Sequence, residues 1–292
     1  FPTRRSSDLI MKNYSIDELR AIILGRGTKD EKIALLLEDE QINDPRTAER
    51  IYNQVRTAAG LSTTSPRPAV RRAARAARHH FTMGIEIEAT NINQNAIADG
   101  LRAAGIEAIR TGYDHSDQQH AYKLAYDGSL SVSPRDTYGT CEIVSPVLRN
   151  LDSLREVCRV INANGGHTNK SCGLHVHIGA SEFTPKIWRR MVINYARIEA
   201  AIDSVMAFSR RGDCRWAKGM ANAASYLASR TEPTMTDIYD SVGRDRYYKV
   251  NVMTCLHGHN TIEFRQHGGT TNFAKIEAWV KFLCAFVAYT ID

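Results

Sequence analysis

The chain has 292 residues, 43% of them hydrophobic and 24% charged, which is enough to bury a sizeable core and too mixed for a disordered or fibrous protein. Its net charge of +6 is concentrated early: residues 1–80 carry 15 basic and 10 acidic side chains, whereas residues 81–292 carry 23 and 22. A body so close to neutral excludes a whole-domain nucleic-acid footprint, and six dispersed cysteines without a CxxC exclude a zinc ribbon or a disulfide framework and suit reduced thiols.

Residues 1–10, FPTRRSSDLI, read like translated sequencing adapter, a non-native leader that would make Met11 the true start. They lack the apolar stretch of a signal peptide. Residues 12–61 form a small helical unit. Ser15-x-x-Glu18 and Thr28-x-x-Glu31 are capping boxes, and Asp44-Pro45 places an N-cap before a proline at the first helical position. Short helices are predicted near 16–24, 29–38 and 45–59. Residues 62–80 are a basic linker, opening on Ser, Thr and Pro and running into RRAARAARHH, with five arginines between Arg67 and Arg78. A solvated basic arm is the first reading of that run. Nucleic-acid phosphate contact is the second, with weak support because no aromatics interleave for base stacking.

From Phe81 the texture changes. FTMGIEIEAT alternates apolar and acidic residues, which predicts a strand with Glu86 and Glu88 on one face. Residues 95–104 predict a helix closed by Gly105. YKLAYDGSL, 122–130, is a strand running into a turn at Asp127-Gly128, and TCEIVSPVL, 140–148, is a strand that sets Glu142 opposite Cys141 and Ile143. A helix over 151–162 ends at Gly165-Gly166, and CGLHVHIG, 172–179, is a further strand. A long amphipathic helix covers 185–208, starting at Thr184-Pro185. Residues 216–244 read as polar and loop-rich, 247–254 and 261–266 as a strand pair around LHGHN, and 273–289 as a final helix. The apolar run 279–291 contains Lys281 and is too short for a membrane span. The expectation is a soluble, cytoplasmic α+β protein: a catalytic domain over 81–292 with a largely antiparallel sheet, helices on one face and a polar face on the other. The chain stops inside an apolar, helix-like run, so the domain reads as truncated at its C-terminus.

Glu86-Ile87-Glu88, His175-Val176-His177 and Glu263-Phe264-Arg265 each put two functional residues on one strand face, because the strand period is two, and Glu142 adds a fourth strand. Each element alone reads more simply as solvation, a structural histidine pair or a cross-strand ion pair. Together they build a sheet face of four carboxylates, two imidazoles and a guanidinium. Clustered carboxylates repel one another unless divalent cations compensate, and this donor set suits Mg²⁺ or Mn²⁺ better than zinc.

The ordered set E-x-E, E, H-x-H, E-x-R, together with MGIEIE, DGSL, CEIVSPVL, CGLHVHIG, FSRR, YYKVNV and TIEFRQHGGT, resembles the amidoligase family of the glutamine synthetase and gamma-glutamylcysteine synthetase superfamily across residues 81–292. That resemblance implies a glutamine-synthetase-like fold. It implies an ATP-dependent carboxylate–amine ligase that joins a carboxylate to an amine through an acyl phosphate. It implies metal ligands at Glu86, Glu88, Glu142, His175 and Glu263, with Glu86 facing the nucleotide phosphates. His177 would contact the nucleotide, and Arg265 and Arg210 would stabilise the transferring phosphoryl group. Asp127 falls in a family motif without an assignable role, Asn251 is a weaker candidate, and Glu199 reads as pairing on its own helix. With no GxxxxGK[ST] loop in the chain, ATP would bind through the sheet and its metals. The rival reading is a metal-dependent hydrolase or nuclease on the same Glu/His face. A peptide, a cell-wall component or a small amino acid all suit the substrate, with specificity expected from residues 111–122, 209–246 and 255–260.

Overall fold

The computed structural model describes residues 15–25, 27–37, 42, 45–59, 81–111 and 120–291. The leader over 1–10 and the basic linker with its arginines lie outside the described residues. The chain divides into two compact units, one within residues 1–71 and one within 72–292.

In the first unit, α1 (Ile16–Leu24) and α2 (Lys29–Leu36) both begin at the capping boxes legible in the sequence. In each, a hydroxyl accepts from the amide three residues on, and the glutamate there accepts from the cap amide. With α3 (Pro45–Ala58) they enclose Ile23, Leu36, Ile42, Ala48 and Tyr52. Lys32 is 5% exposed, and its ammonium donates to the carbonyls of Ile23 at 2.9 Å and Gly25 at 2.6 Å. It thereby satisfies oxygens that the end of α1 leaves unpaired.

The second unit is built on a seven-stranded sheet. Its strands are β1 (Met83–Thr90), β2 (Ala108–Thr111), β3 (Tyr122–Ala125), β4 (Thr140–Val144), β5 (Gly173–Gly179), β6 (Val250–Asn251) and β7 (Thr261–Gly268), in spatial order β2-β3-β4-β1-β5-β7-β6. Neighbours are antiparallel except β2 and β3, which run parallel. The α+β expectation with a largely antiparallel sheet therefore holds. Its helices are α4 (Gln94–Ala103), α5 (Asp152–Ala163), α6 (Pro185–Val205), α7 (Ala221–Ala228), α8 (Met235–Ser241) and α9 (Phe273–Ile291).

One sheet face is apolar. Ile85, Ile87, Ile143, Leu174, Val176, Ile262 and Phe264 pack with Trp188, Met191 and Tyr195 of α6 and with Leu283 and Val287 of α9. Each such aliphatic side chain contributes roughly 1.5–3 kcal/mol of transfer free energy. Every strand on this face must therefore hold its register, because a one-residue slip would invert both faces. Gly105 and Gly165 follow α4 and α5 at φ of 74° and 76°, the left-handed conformation that closes a helix without a Cβ penalty.

Four sequence expectations need correction. Residues 216–244 are not mainly loop: they hold α7 and α8, the latter opened by a Thr234–Asp237 capping box that the polar composition concealed. The strand expected over 247–254 shrinks to Val250–Asn251, followed by a 3-10 turn over Met253–Cys255. The strand expected over 140–148 ends at Val144, ahead of Pro146. Glu199 does not pair on its own helix. It accepts from the fully buried Lys249 ammonium at 2.7 Å and from the Met220 amide at 2.8 Å, while Asp203 holds the same ammonium from the other side at 2.7 Å.

Candidate active site

The strand registers decide which polar residues meet. Glu86 sits between Val144 of β4 and His175 of β5, Glu88 lies opposite Glu142, and Glu263 lies between His177 and Asn251. The spacers Ile87, Val176 and Phe264 are fully buried on the other face. The β5/β7 pairing shifts register between Leu174 and Val176, a bulge in which β7 sets Arg265 and Gln266 against His175, and on β1 His175 faces Glu86.

Glu86 is the hub. One of its oxygens contacts His175 Nδ1 at 2.9 Å, and the other contacts His177 Nε2 at 3.1 Å. The second nitrogen of His177, Nδ1, lies 3.0 Å from the Thr261 hydroxyl. Glu263 is 3% exposed; one of its oxygens accepts from Arg265 and the other from the Asn251 amide. Two sets of ligand atoms converge closely enough to share an ion each: Glu86, His177 and Glu263, and Glu86, Glu142 and His175, with all atoms in a set within 4.8 Å of one another. Glu86 belongs to both. Glu88 belongs to neither; it accepts from the Gly173 amide and has an oxygen 3.6 Å from His175 Nε2.

Electrostatics follow from this crowding. Burial, then the negative charges of Glu86, Glu88 and Asp127, push the Glu142 carboxyl up to about 9. Burial works the same way on Glu86, but the His177 and His175 rings outweigh it and hold Glu86 well below the usual carboxylate range. Glu263 is likewise held low against its burial, chiefly by Arg265 and then by His177. Burial opposes a charge on His177, yet Glu86 and Glu263 raise it above its ordinary value. Burial and crowding thus favour a proton on Glu142 while Glu86 and Glu263 are held toward the ionised form.

The two arginines are held differently. Arg265 is 9% exposed, leans on the Tyr247 ring with its guanidinium carbon 5.7 Å from the centroid, and keeps a buried Nε without a hydrogen-bond partner among the described residues. Arg210 ends a 3-10 turn over Phe208–Arg210 and donates to the carbonyls of Cys172 at 2.7 Å and Ser171 at 3.3 Å. The eight site residues expected from the sequence, Glu86, Glu88, Glu142, His175, His177, Arg210, Glu263 and Arg265, line one cavity of about 1010 Å³.

The cavity also recruits residues outside the strand pattern. Asn251, the weaker candidate, binds Glu263 directly, and Thr261 fixes His177. Asp127 lines the wall, its Oδ1 accepting from the Ser129 amide at 2.8 Å. Trp216 and Tyr247 meet edge to face at 5.2 Å. Lys123 and Thr111 line the far side. Of these, Thr261 was marked by its place two residues before Glu263, on the same strand face, and Tyr247 by its place in YYKVNV; Trp216 carried no signal in the sequence.

A model of the family described as "Putative amidoligase enzyme" matches residues 79–287, most of the chain and nearly all of the second unit. A search of curated proteins finds no match.

Proposed function

Because this chain belongs to the amidoligase family, we propose that it is an ATP-dependent carboxylate–amine ligase of glutamine-synthetase-like fold, forming an amide or peptide bond through an acyl phosphate. The observation that carries this reading is Glu86, one carboxylate shared by two histidine–carboxylate groups and facing a cavity with two buried arginines. The donor set fits divalent metal: burial first, and then the convergence of carboxylates, raises Glu142, and a cation offsets both the lost solvation and the repulsion. Glu86, Glu142 and His175 would hold one ion, and Glu86, His177 and Glu263 the other, with Glu88 close to the first. In this arrangement His177 is as well set for metal as for the nucleotide contact expected from the sequence. Bound Mg²⁺ or Mn²⁺ would neutralise phosphate oxygens.

The protein's own residues do the rest. Arg265 and Arg210 are fixed cations, immobilised by Glu263 and by backbone carbonyls before any substrate arrives, so they stabilise charge on a transferring phosphoryl group without reorganising. A cavity of about 1010 Å³ has room for a nucleotide and a second ligand together.

Calorimetry of the purified chain with ATP in the presence and absence of Mg²⁺ is the test. Metal-dependent ATP binding is expected, and ADP release only when carboxylate and amine are both supplied. Absence of Mg²⁺-dependent ATP binding overturns the ligase reading, and cleavage of DNA or RNA with metal alone would establish the hydrolase alternative. Among the described residues no helix is long and apolar enough to cross a membrane; a cytoplasmic location remains part of the proposal.

A further inference from the structure

The β3 end of the cavity carries chemistry that metal and phosphate binding leave unused. Lys123 and Ala125 pair across to Val144 and Glu142 of β4, so both share the face that bears the glutamates. Thr111 of β2 is in register with Ala125. One row across the sheet therefore reads Thr111, Ala125, Glu142, Glu88. Ala125 is the small residue in it, and it leaves a floor between a hydroxyl and a carboxyl. Lys123 and Asp127 flank that floor, two residues to either side of Ala125, and all of these side chains line the cavity.

Two observations point to a ligand here. The Thr111 hydroxyl oxygen is buried and has no hydrogen-bond partner among the described residues, a state that is costly unless something else satisfies it. Lys123 is half-buried and makes no hydrogen bond or ion pair with any described residue, although a partly desolvated ammonium calls for an anion. Asp127 has one oxygen committed to its turn and presents a negative charge at the opposite end.

Resting on the ligase reading, we propose that this floor is the subsite for the amine substrate and that the amine substrate is a free α-amino acid. Its carboxylate is held by Lys123 and the Thr111 hydroxyl, and its amino group by Asp127, beside Glu142. The placement agrees: Lys123 and Asp127 lie on either side of the small Ala125 on one cavity wall, so the two opposite charges of one small zwitterion each meet a side chain of opposite sign. An amine without the carboxylate would leave the lysine unanswered, so the subsite selects for the zwitterion rather than for ammonia or a simple amine.

The test is calorimetric titration of the full chain, saturated with Mg²⁺ and a non-hydrolysable ATP analogue, with each common L-amino acid and its α-amide. At least one amino acid is expected to bind about tenfold or more tightly than its own amide, because the amide lacks the charge that Lys123 reads. Lys123→Met should bring the two within about twofold of each other, and Lys123→Arg should keep most of the preference. The amide's own binding serves as the check that the variant still folds. Asp127→Asn should weaken the amino acid while leaving N-acetylated forms, already poor, unchanged. Binding of no amino acid by a chain that does bind Mg²⁺·ATP overturns the subsite but not the ligase reading. An acid-to-amide ratio unmoved by Lys123→Met, with ATP binding weakened instead, also overturns it and assigns Lys123 to the nucleotide. A chain that binds no Mg²⁺·ATP fails at the earlier step, and both proposals fall together.

Discussion

Glu142→Gln is the sharpest single probe of the carboxylate cluster, because it should stabilise the metal-free protein and disable the metal-bound one. In the folded chain the Glu142 carboxyl is pushed from 4.5 up to about 9 by burial and by Glu86, Glu88 and Asp127. A folded value above the unfolded one means that this group's stabilising contribution is complete below pH 4.5 and is lost as pH rises toward about 9. The slope can reach about 1.4 kcal/mol per pH unit. Between pH 5 and pH 8 that amounts to about 4 kcal/mol at most, and water entering an open cavity screens it to something on the order of 2 kcal/mol. Glu86 and Glu263 do not confuse the measurement. Their folded values lie below 4.5, so their contributions are lost only as pH falls below that window. His177, raised above 6.5, loses its contribution at the alkaline end, but it does so in both proteins and cancels in the comparison to first order.

Glutamine keeps the shape and cannot ionise. Urea denaturation in EDTA at pH 5, 6.5 and 8 should therefore show the wild type losing on the order of 2 kcal/mol more than the variant as pH rises. With millimolar Mg²⁺ the order should reverse, because only the wild type supplies all three ligands of the Glu86–Glu142–His175 group. Parallel pH profiles for the two proteins without metal would refute the idea that burial and the neighbouring carboxylates together raise Glu142.

The remaining expectations concern other parts of the machinery. Glu263→Gln removes a charge that Arg265 and His177 both face, and should lower turnover at least about 100-fold while circular dichroism stays native, since the amide preserves the contact to Asn251. Gly173→Ala places a Cβ 2.8 Å from His175 Nε2 and 3.3 Å from a Glu88 oxygen, so the imidazole must swing away; Mg²⁺ affinity should fall about tenfold or more by calorimetry, and an unchanged affinity would mean that His175 is not a ligand. Lys249→Met leaves Glu199 and Asp203 facing each other across a buried gap, and should cost about 3 kcal/mol or more in urea denaturation, whereas Lys281→Met, an exposed i,i+4 pair with Glu277, should cost about 0.5 kcal/mol or less.

What the sequence made legible was whatever depends on period and local capping. Alternation in MGIEIEAT and GLHVHIG is visible because each strand has one core face, and the helix starts at Ser15, Thr28 and Thr184 are visible because a side-chain oxygen must answer backbone amides. What stayed hidden depends on partners distant in the chain. β2 has four residues and takes its place by pairing with β3, with no amphipathic pattern of its own long enough to register. Val250–Asn251 is too short to alternate meaningfully and exists because β7 offers it a ladder. Lys249 looks like one more surface charge in YYKVNV, yet it is fully buried because two carboxylates of α6, 46 and 50 residues away, converge on it.

The same division runs through the site. Period two establishes that Glu86 and Glu88 share a face, and so do His175 and His177, but it treats the members of each pair as equivalent. Registers with the neighbouring strands break that equivalence. Glu86 falls between β4 and β5 where both histidines reach it, while Glu88, one pleat further along, is drawn off to the Gly173 amide. His175 and His177 are likewise not two copies of one ligand. His175 groups with Glu86 and Glu142 beside the bulge in β7, and Thr261 bonds His177, which groups with Glu86 and Glu263. Two adjacent groups of potential metal ligands sharing Glu86 therefore arise from three strand pairs with one slip among them. Strand pairing, more than the motif alone, sets the spacing on which any two-metal chemistry here would depend. It follows that deleting Gln266, one of the two β7 residues set opposite His175, should restore regular β5/β7 pairing and abolish the cooperation between the two proposed metals with every candidate ligand residue retained, leaving a chain whose Mn²⁺ titration, followed by electron paramagnetic resonance, shows independent ions in place of a spin-coupled pair.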